Sequence, residues 1–330
     1  MSARRVVVTG GCGFVGGHLV QRLVTRGDAV TVFDGAAQPP DLGAAVREHA
    51  RFVTGDIRDP DAVAALVRPG IDAVYHLAAV VGVDQYLSRP LDVIDTNFLG
   101  TRNVLRSAAR TGARVVVAST SEIFGKNPKV PWSEDGDRVL GPTTTDRWAY
   151  SSSKALAEHL TFAFVRQHGL PATVVRYFNV YGPRQRPAYL VSRSVHRALN
   201  GLPPVVYDRG AQTRCLTYVS DTVAGTVLAG EREEAIGTAF NLGNTRETTV
   251  YDVISLISEL VGAADPVTEV DTADKLGPSY QDLGRRVPDT GRARSLLGWE
   301  CRTQLRKGLV ETIEWARANP WWLALPDRGA

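Results

Sequence analysis

Methionine occurs once and cysteine three times in 330 residues, and only five of the 38 basic residues are lysine. Cys12, Cys215 and Cys301 are far apart and odd in number, so they give no disulfide framework and fit a reducing cytosol. The histidines His18, His49, His76, His159, His168 and His196 form neither an H-x-x-x-H pair nor a Cys/His cluster, which argues against a metal site. No apolar run approaches the roughly 18 residues of a membrane span. Glycines from Gly10 onward interrupt the apolar start Val6-Val7-Val8, against a leader peptide. The 31 glycines and 18 prolines are too scattered for a collagenous or low-complexity chain. At a formal charge of +3 the arginines form no stripe, which speaks against nucleic-acid or membrane binding. A hydrophobic share of 44% and a charged share of 22% describe an ordinary soluble globular protein, located in the cytoplasm on this reading.

The first half alternates short β-branched runs with amphipathic stretches, the pattern of βαβ units and a parallel sheet. Strands are expected at Arg4–Thr9, Ala29–Phe33, Arg51–Thr54, Ala73–Leu77, Arg114–Ala118 and Ala172–Tyr177. Helices are expected at Phe14–Arg26, Pro60–Val67, Leu91–Arg110 and about Trp148–His168. After Tyr177 the rhythm is irregular, and helices resume at about Ser220–Gly230, Val250–Val261 and Thr303–Ala318.

The first strand runs into Thr9-Gly10-Gly11-Cys12-Gly13-Phe14-Val15-Gly16, with glycines at 10, 13 and 16 between a strand and a helix. Absent side chains let the backbone approach a pyrophosphate, and the helix start supplies N–H donors. Asp34 ends the second strand, where a carboxylate can hold both ribose hydroxyls; Gly35 follows it with no arginine beside it, which favours NAD over NADP. Asp56 and Ile57, after strand three, are placed near adenine. The expected fold is therefore α/β, a Rossmann-type doubly wound parallel sheet with a smaller C-terminal lobe. The cofactor domain covers residues 1–178 with a return segment at about 215–245, and the lobe takes 179–214 and 246–330.

Tyr150 and Lys154 are four apart on one face of a predicted helix. A phenol beside an ammonium can be pulled toward phenolate and act as a base, although a plain surface pair has the same spacing. Thr120, in the run Ser119-Thr120-Ser121-Glu122, would face Tyr150; hydroxyls at a strand end are also common turn chemistry. In order and spacing these motifs resemble the extended short-chain dehydrogenase/reductases, the NAD-dependent group of nucleotide-sugar epimerases, dehydratases and decarboxylases. Further motifs carrying the resemblance are His76-Leu77-Ala78-Ala79, Asn97, Arg176-Tyr177-Phe178-Asn179, Arg214-x-x-x-Tyr218-Val219-x-Asp221 and Phe240-Asn241-Leu242-Gly243-Asn244. The resemblance implies that Leu77, Ala78, Ala79 and Asn97 join Gly10, Gly13, Phe14 and Val15 at the cofactor. It implies that Asn179 and Arg214 bind a substrate diphosphate, that Tyr207 lies near the base, and that the protein is a homodimer built on helices near 91–110 and 148–168.

Enzymes of this group share an oxidation of the sugar at C4 and differ in their later steps. A carboxylate at Glu122 resembles members that work at C5, and Thr-Ser-Glu occurs both in GDP-mannose dehydratases and in UDP-glucuronate decarboxylases, so the triplet leaves both open. Three segments resemble the decarboxylases more closely: Gln212–Asp221, Arg147-Trp148-Ala149-Tyr150, and Tyr280-Gln281-Asp282-x-x-x-Arg286-x-Pro288-Asp289. There Tyr86, Tyr280 and Arg286 would meet the sugar acid. A guanidinium holds a carboxylate with two bonds and stays charged when buried; the plainer alternatives are a salt bridge from Arg285 or Arg286 to Asp282 or Asp289, and simple packing for Tyr86. The expected reaction is decarboxylation of UDP-glucuronate to UDP-xylose or a UDP-4-keto-pentose, with Thr120, Ser121, Glu122, Tyr150, Lys154 and Arg286 catalytic. A 4,6-dehydratase is the main alternative and a 4-epimerase a lesser one.

Overall fold

Seven strands lie side by side and all run the same way: β1 (Arg5–Thr9), β2 (Ala29–Asp34), β3 (Ala50–Thr54), β4 (Ala73–His76), β5 (Arg114–Thr120), β6 (Ala172–Tyr177) and, much later in the chain, Ala239–Leu242. The computed structural model describes residues 3–36, 42–263, 268–270 and 283–327. In the sheet the Ala239–Leu242 strand comes first, followed by β6, β5, β4, β1, β2 and β3. The chain therefore reverses direction across the sheet between β1 and β4, where a crevice opens beyond the carboxyl ends of the strands.

Both faces of the sheet are covered, which is why its strands read as continuous apolar runs rather than alternating ones. Val6, Val8, Val116 and Val175 pack under α1 (Phe14–Thr25) with Leu19, Val20 and Leu23. Their chain neighbours Val7, Val115, Val117 and Val174 point the other way, onto Val104, Leu105 and Ala108. The latter three belong to the helix Pro90–Thr111, which lies beside Arg147–His168. The expected parallel sheet is thus present, with β5 two residues longer than expected so that Thr120 closes it.

The return segment holds the helix Val219–Ala229, packed on α1, and the seventh strand. The stretch that reads as irregular contains a helix, Leu190–Leu199, with Val191, Val195 and Ala198 on its buried face. Helices Ala44–His49 and Val83–Ser88 were likewise not expected from the sequence. Short strand pairs at Val180–Tyr181 with Thr217–Tyr218, Thr213–Arg214 with Thr248–Thr249, and Val205–Tyr207 with Thr268–Val270 shape the far side of the crevice. Among the described residues no helix is long and apolar enough to cross a membrane, and no group of three metal-ligating side chains occurs.

Candidate active site

One cavity of about 1280 Å³ follows the crevice from the β2 end to the Leu190–Leu199 helix. At its start, Gly10 holds a left-handed backbone (φ 73°), and a Cβ there would sit 2.6 Å from the Ala78 nitrogen. A Cβ on Gly16 would sit 2.1 Å from the Gly10 carbonyl oxygen, so the loop and α1 can approach only without side chains. No acidic residue lies in the first turn of α1 and no side chain caps it, which leaves its N–H groups for a ligand phosphate. Asp34 accepts from the Cys12 N–H at 2.9 Å and the Ala36 N–H at 2.9 Å, and its carboxylate faces the cavity beside the loop. Such a cradle fits the dinucleotide pyrophosphate and an adenine-side ribose. Arg58, at the same end, is drawn to Asp56, donating from Nη2 at 2.7 Å and from Nε at 2.9 Å. Asp56 is thereby held below its ordinary value, and its oxygens are engaged with Arg58.

Behind that wall His76 receives from Thr9 at 2.8 Å on Nδ1 and meets Thr101 at 3.0 Å on Nε2. The Thr101 hydroxyl gives its proton to the Asn97 carbonyl at 2.6 Å, so the proton between His76 and Thr101 belongs to Nε2. Burial, with Lys154 adding, pushes His76 down to about 3, and it is neutral. Asn97 accepts from the Val80 N–H at 2.9 Å and donates to Ser153 at 3.1 Å. From behind the cavity wall it ties the loop after β4 to the helix bearing Tyr150.

At the mid-point the cavity wall carries Thr120, Ser121, Glu122, Tyr150 and Lys154 together. The Thr120 oxygen accepts from the Glu122 N–H at 3.2 Å, which leaves its own proton for a hydrogen bond to Tyr150. Burial pushes the Tyr150 phenol above its ordinary range; Glu122 adds to that push and the Thr120 hydrogen bond opposes it. In the chain alone desolvation outweighs the pull toward phenolate, and the positive charge of a bound nicotinamide ring would act in the opposite direction. Lys154 is itself pushed down to about 8 by burial, against the field of Glu158. That carboxylate, one turn further along the helix, is 1% exposed and held by Ser119 at 2.5 Å and by Arg176 at 2.7 and 3.0 Å.

Two guanidinium groups converge on Glu122. Arg286 donates from Nη1 to Oε1, and Arg147 donates from Nη2 to Oε2 at 3.4 Å. Arg147, 3% exposed, also reaches the Tyr86 hydroxyl at 3.3 Å. The neighbouring Arg285 turns outward to Glu247, so of the two adjacent arginines only Arg286 enters the cavity. Asp289 caps the Gly291 N–H. Beyond this cluster Asn179 has a left-handed backbone (φ 40°), and its buried Nδ2 has no hydrogen-bond partner among the described residues. A strained, unsatisfied amide facing a cavity is free to donate to a ligand there. Arg214 donates from Nη1 to the carbonyls of Thr213 and Leu283, and Tyr207 stands further along the same wall.

Over residues 6–243 the sequence matches the NAD dependent epimerase/dehydratase family. The chain belongs to it. A UDP-N-acetyl-alpha-D-glucosaminuronate decarboxylase of Bacillus cytotoxicus is 36% identical over 324 residues, which cover 95% of this chain and 98% of that protein. UDP-glucuronic acid decarboxylase 1 of Xenopus tropicalis is 34% identical over 319 residues, 95% of this chain and 72% of that protein. Among solved structures, MoeE5 in complex with UDP-glucuronic acid and NAD is similar with a TM-score of 0.83 at 32% identity, covering 96% of this chain and 99% of MoeE5. UDP-glucose 4-epimerase from Thermotoga maritima, with UDP-glucose, reaches a TM-score of 0.85 at 30% identity, covering 96% and 99%. NAD is the family's cofactor, and the glycine cradle and Asp34 fit it.

Of the residues expected to catalyse or to bind cofactor or substrate, the cavity gathers all but two: Asn97, which lies behind the wall, and Tyr280, which falls outside the described residues. Sequence reasoning placed Arg147 only in a family-like segment, yet it sits at the centre of the charged cluster. It precedes Tyr150 by three, which on a helix brings it to the same side. Arg193 and Arg197 were missed altogether; their signal was the apolar spacing at 191, 195 and 198, which sets them on the opposite face.

Proposed function

We propose that this member of the family decarboxylates a UDP-linked uronic acid, UDP-glucuronate in the first instance, to UDP-xylose or a UDP-4-keto-pentose. The observation that carries the reading is the convergence of Arg147 and Arg286 on Glu122 beside Tyr150. Both guanidiniums already hold Glu122; a C6 carboxylate entering beside it would offer them a second anion, which a neutral hexose does not. The two decarboxylase relatives, over almost the whole chain, support the same conclusion.

NAD, when bound, supplies the hydride acceptor for oxidation at C4, and Gly10, Gly13, Phe14, Val15, Asp34 and Lys154 would hold it. Tyr150 takes the proton of the C4 hydroxyl. Thr120 steadies that oxygen's partner by donating to Tyr150, and Lys154 supplies positive charge that favours the phenolate. Arg286 and Arg147 hold the C6 carboxylate. Once C4 is a ketone the acid is a β-keto acid: the C5–C6 bond breaks, its electrons pass to the ketone oxygen, and carbon dioxide leaves. Glu122 and Ser121 orient the group that returns a proton to C5. Return of the hydride to C4, with Tyr150 giving its proton back to the C4 oxygen, would yield UDP-xylose; release of the ketone before that return would yield the UDP-4-keto-pentose and leave the cofactor reduced. Asn179, Arg214 and Tyr207 bind the nucleotide, whose binding energy positions a sugar it does not react with.

Purified protein is incubated with UDP-glucuronate, UDP-N-acetylglucosaminuronate or a neutral UDP- or dTDP-hexose, and product mass is followed. Loss of carbon dioxide from a uronate supports the reading. Loss of water from a neutral hexose, or a C4-inverted product of unchanged mass, overturns it in favour of a dehydratase or an epimerase.

We further infer a homodimer. Leu91 (74% exposed), Ile94 and Leu99 on the helix Pro90–Thr111, and Leu156 on Arg147–His168, leave apolar side chains in solvent on two helices that pack side by side. Light scattering should give twice the chain mass, and Leu91→Glu with Leu156→Glu should halve it. A monomeric native protein would refute this.

A further inference from the structure

The nucleotide end of the cavity is walled by the Leu190–Leu199 helix, whose Arg193 and Arg197 line it together with Tyr207. Both guanidiniums end on one distant carboxylate. Arg193 donates from Nε to Asp327 Oδ1 at 2.6 Å and from Nη2 to Oδ2 at 3.4 Å, and Arg197 donates from Nη1 to the same Oδ2. The remaining arm of Arg193, Nη1, donates to the Tyr207 hydroxyl at 2.8 Å. Arg197 is further fixed by Nε on the Pro203 carbonyl at 2.8 Å.

The segment carrying Asp327 is itself pinned to this helix. Trp322 donates from Nε1 to the Gln185 carbonyl at 2.9 Å, His196 Nε2 lies 3.0 Å from the Leu323 carbonyl oxygen, and Asn200 donates to that oxygen at 3.2 Å. The Trp322 and His196 rings meet edge to face at 5.3 Å. The segment that ends in Asp327 is thus tied to the helix and its two flanks by three hydrogen-bond contacts and a ring contact. Its side chain and those of its two partners are each under one-fifth exposed, so water screens the contacts less than on an open surface.

We propose that Asp327 is a positioning residue for the nucleoside diphosphate of the substrate. It sets the Tyr207 ring through Arg193 and, through both arginines, the cationic wall against which the nucleotide docks. Long arginine side chains lose rotamer freedom when a ligand orders them; a carboxylate that orders them beforehand removes that cost from binding. The proposal rests on the reading of this cavity as a nucleotide-sugar site.

The test compares the native protein with Asp327→Asn, which keeps the shape and removes the charge, and Asp327→Glu, which keeps the charge. UDP and NAD affinities are measured by calorimetry, and KM and kcat with UDP-glucuronate. Asp327→Asn should weaken UDP about tenfold, the loss of one charge-assisted hydrogen bond. KM should rise by a similar factor, more than kcat falls, with NAD affinity held, and Asp327→Glu should recover most of the loss. UDP affinity within twofold of native in Asp327→Asn, or parallel losses of UDP affinity, NAD affinity and kcat, would overturn the positioning role. A native protein that binds NAD but not UDP would overturn the nucleotide-sugar reading itself, and the proposal with it.

Discussion

Replacing Arg286 by alanine separates a carboxylate-holding site from a charged cluster that merely shapes the pocket. The Arg286 side chain is 11% exposed and its guanidinium meets Glu122 inside the cavity. A hydrogen bond to a charged group in such a place contributes about 1.5–3 kcal/mol, so its loss should lower kcat/KM for UDP-glucuronate by roughly 10- to 150-fold. Arg147 is less suited to the first experiment, because it also supports Tyr86 and lies 5.4 Å from the Trp148 ring centre, so its removal disturbs packing as well. Release of carbon dioxide from UDP-glucuronate is assayed together with inhibition by UDP-glucose, which shares the nucleotide and lacks the acid. Turnover should fall by the stated factor while the UDP-glucose inhibition constant moves less than threefold. Arg286→Lys should lie between, since it keeps the charge and loses the fork. Turnover within threefold of native, or an equal weakening of UDP-glucose, would refute the reasoning.

Tyr150→Phe removes the proton acceptor and should cut kcat by about 10²–10⁴-fold with little change in melting temperature; near-native turnover would show that the base lies elsewhere. Lys154, lowered to about 8, is an ammonium below that pH and neutral above it, so activity should decline as pH rises through about 8. Lys154→Arg, which cannot deprotonate in this range, should lose that limb, and an unchanged limb in the variant would exclude Lys154 as its source. His76 is lowered from 6.5 to about 3, so between these values the unfolded chain binds the extra proton and stability falls as pH falls. Urea midpoints at pH 7 and pH 5 should therefore differ more in the native protein than in His76→Gln, and equal slopes would place the acid sensitivity in other groups. In Gly10→Ala the new Cβ would meet the Ala78 backbone at 2.6 Å in a left-handed conformation, so NAD affinity and stability should both drop; a variant that binds NAD normally would contradict the close approach of loop and strand.

The sheet and the cofactor cradle were legible in the order of residues. Strands such as Val6-Val7-Val8 and Val115-Val116-Val117 are apolar on both sides, which only a doubly covered sheet satisfies, and the glycines at 10 and 16 mark places where backbone must touch backbone. Tyr150 and Lys154 were legible because helical spacing is local. What spacing could not show was which distant groups meet. Arg147 and Arg286 are far apart in the chain and become one site only when both reach Glu122; Arg285, adjacent to Arg286, carries the same chemistry and faces away. Asn97 sits among motif residues yet turns behind the wall, because its amide is spent on Val80 and Ser153. Asp327 reaches Arg193 across 134 positions. The upward push on the Tyr150 phenol also belongs to the tertiary structure, since desolvation depends on everything packed around a group, and no neighbour in the chain reports it.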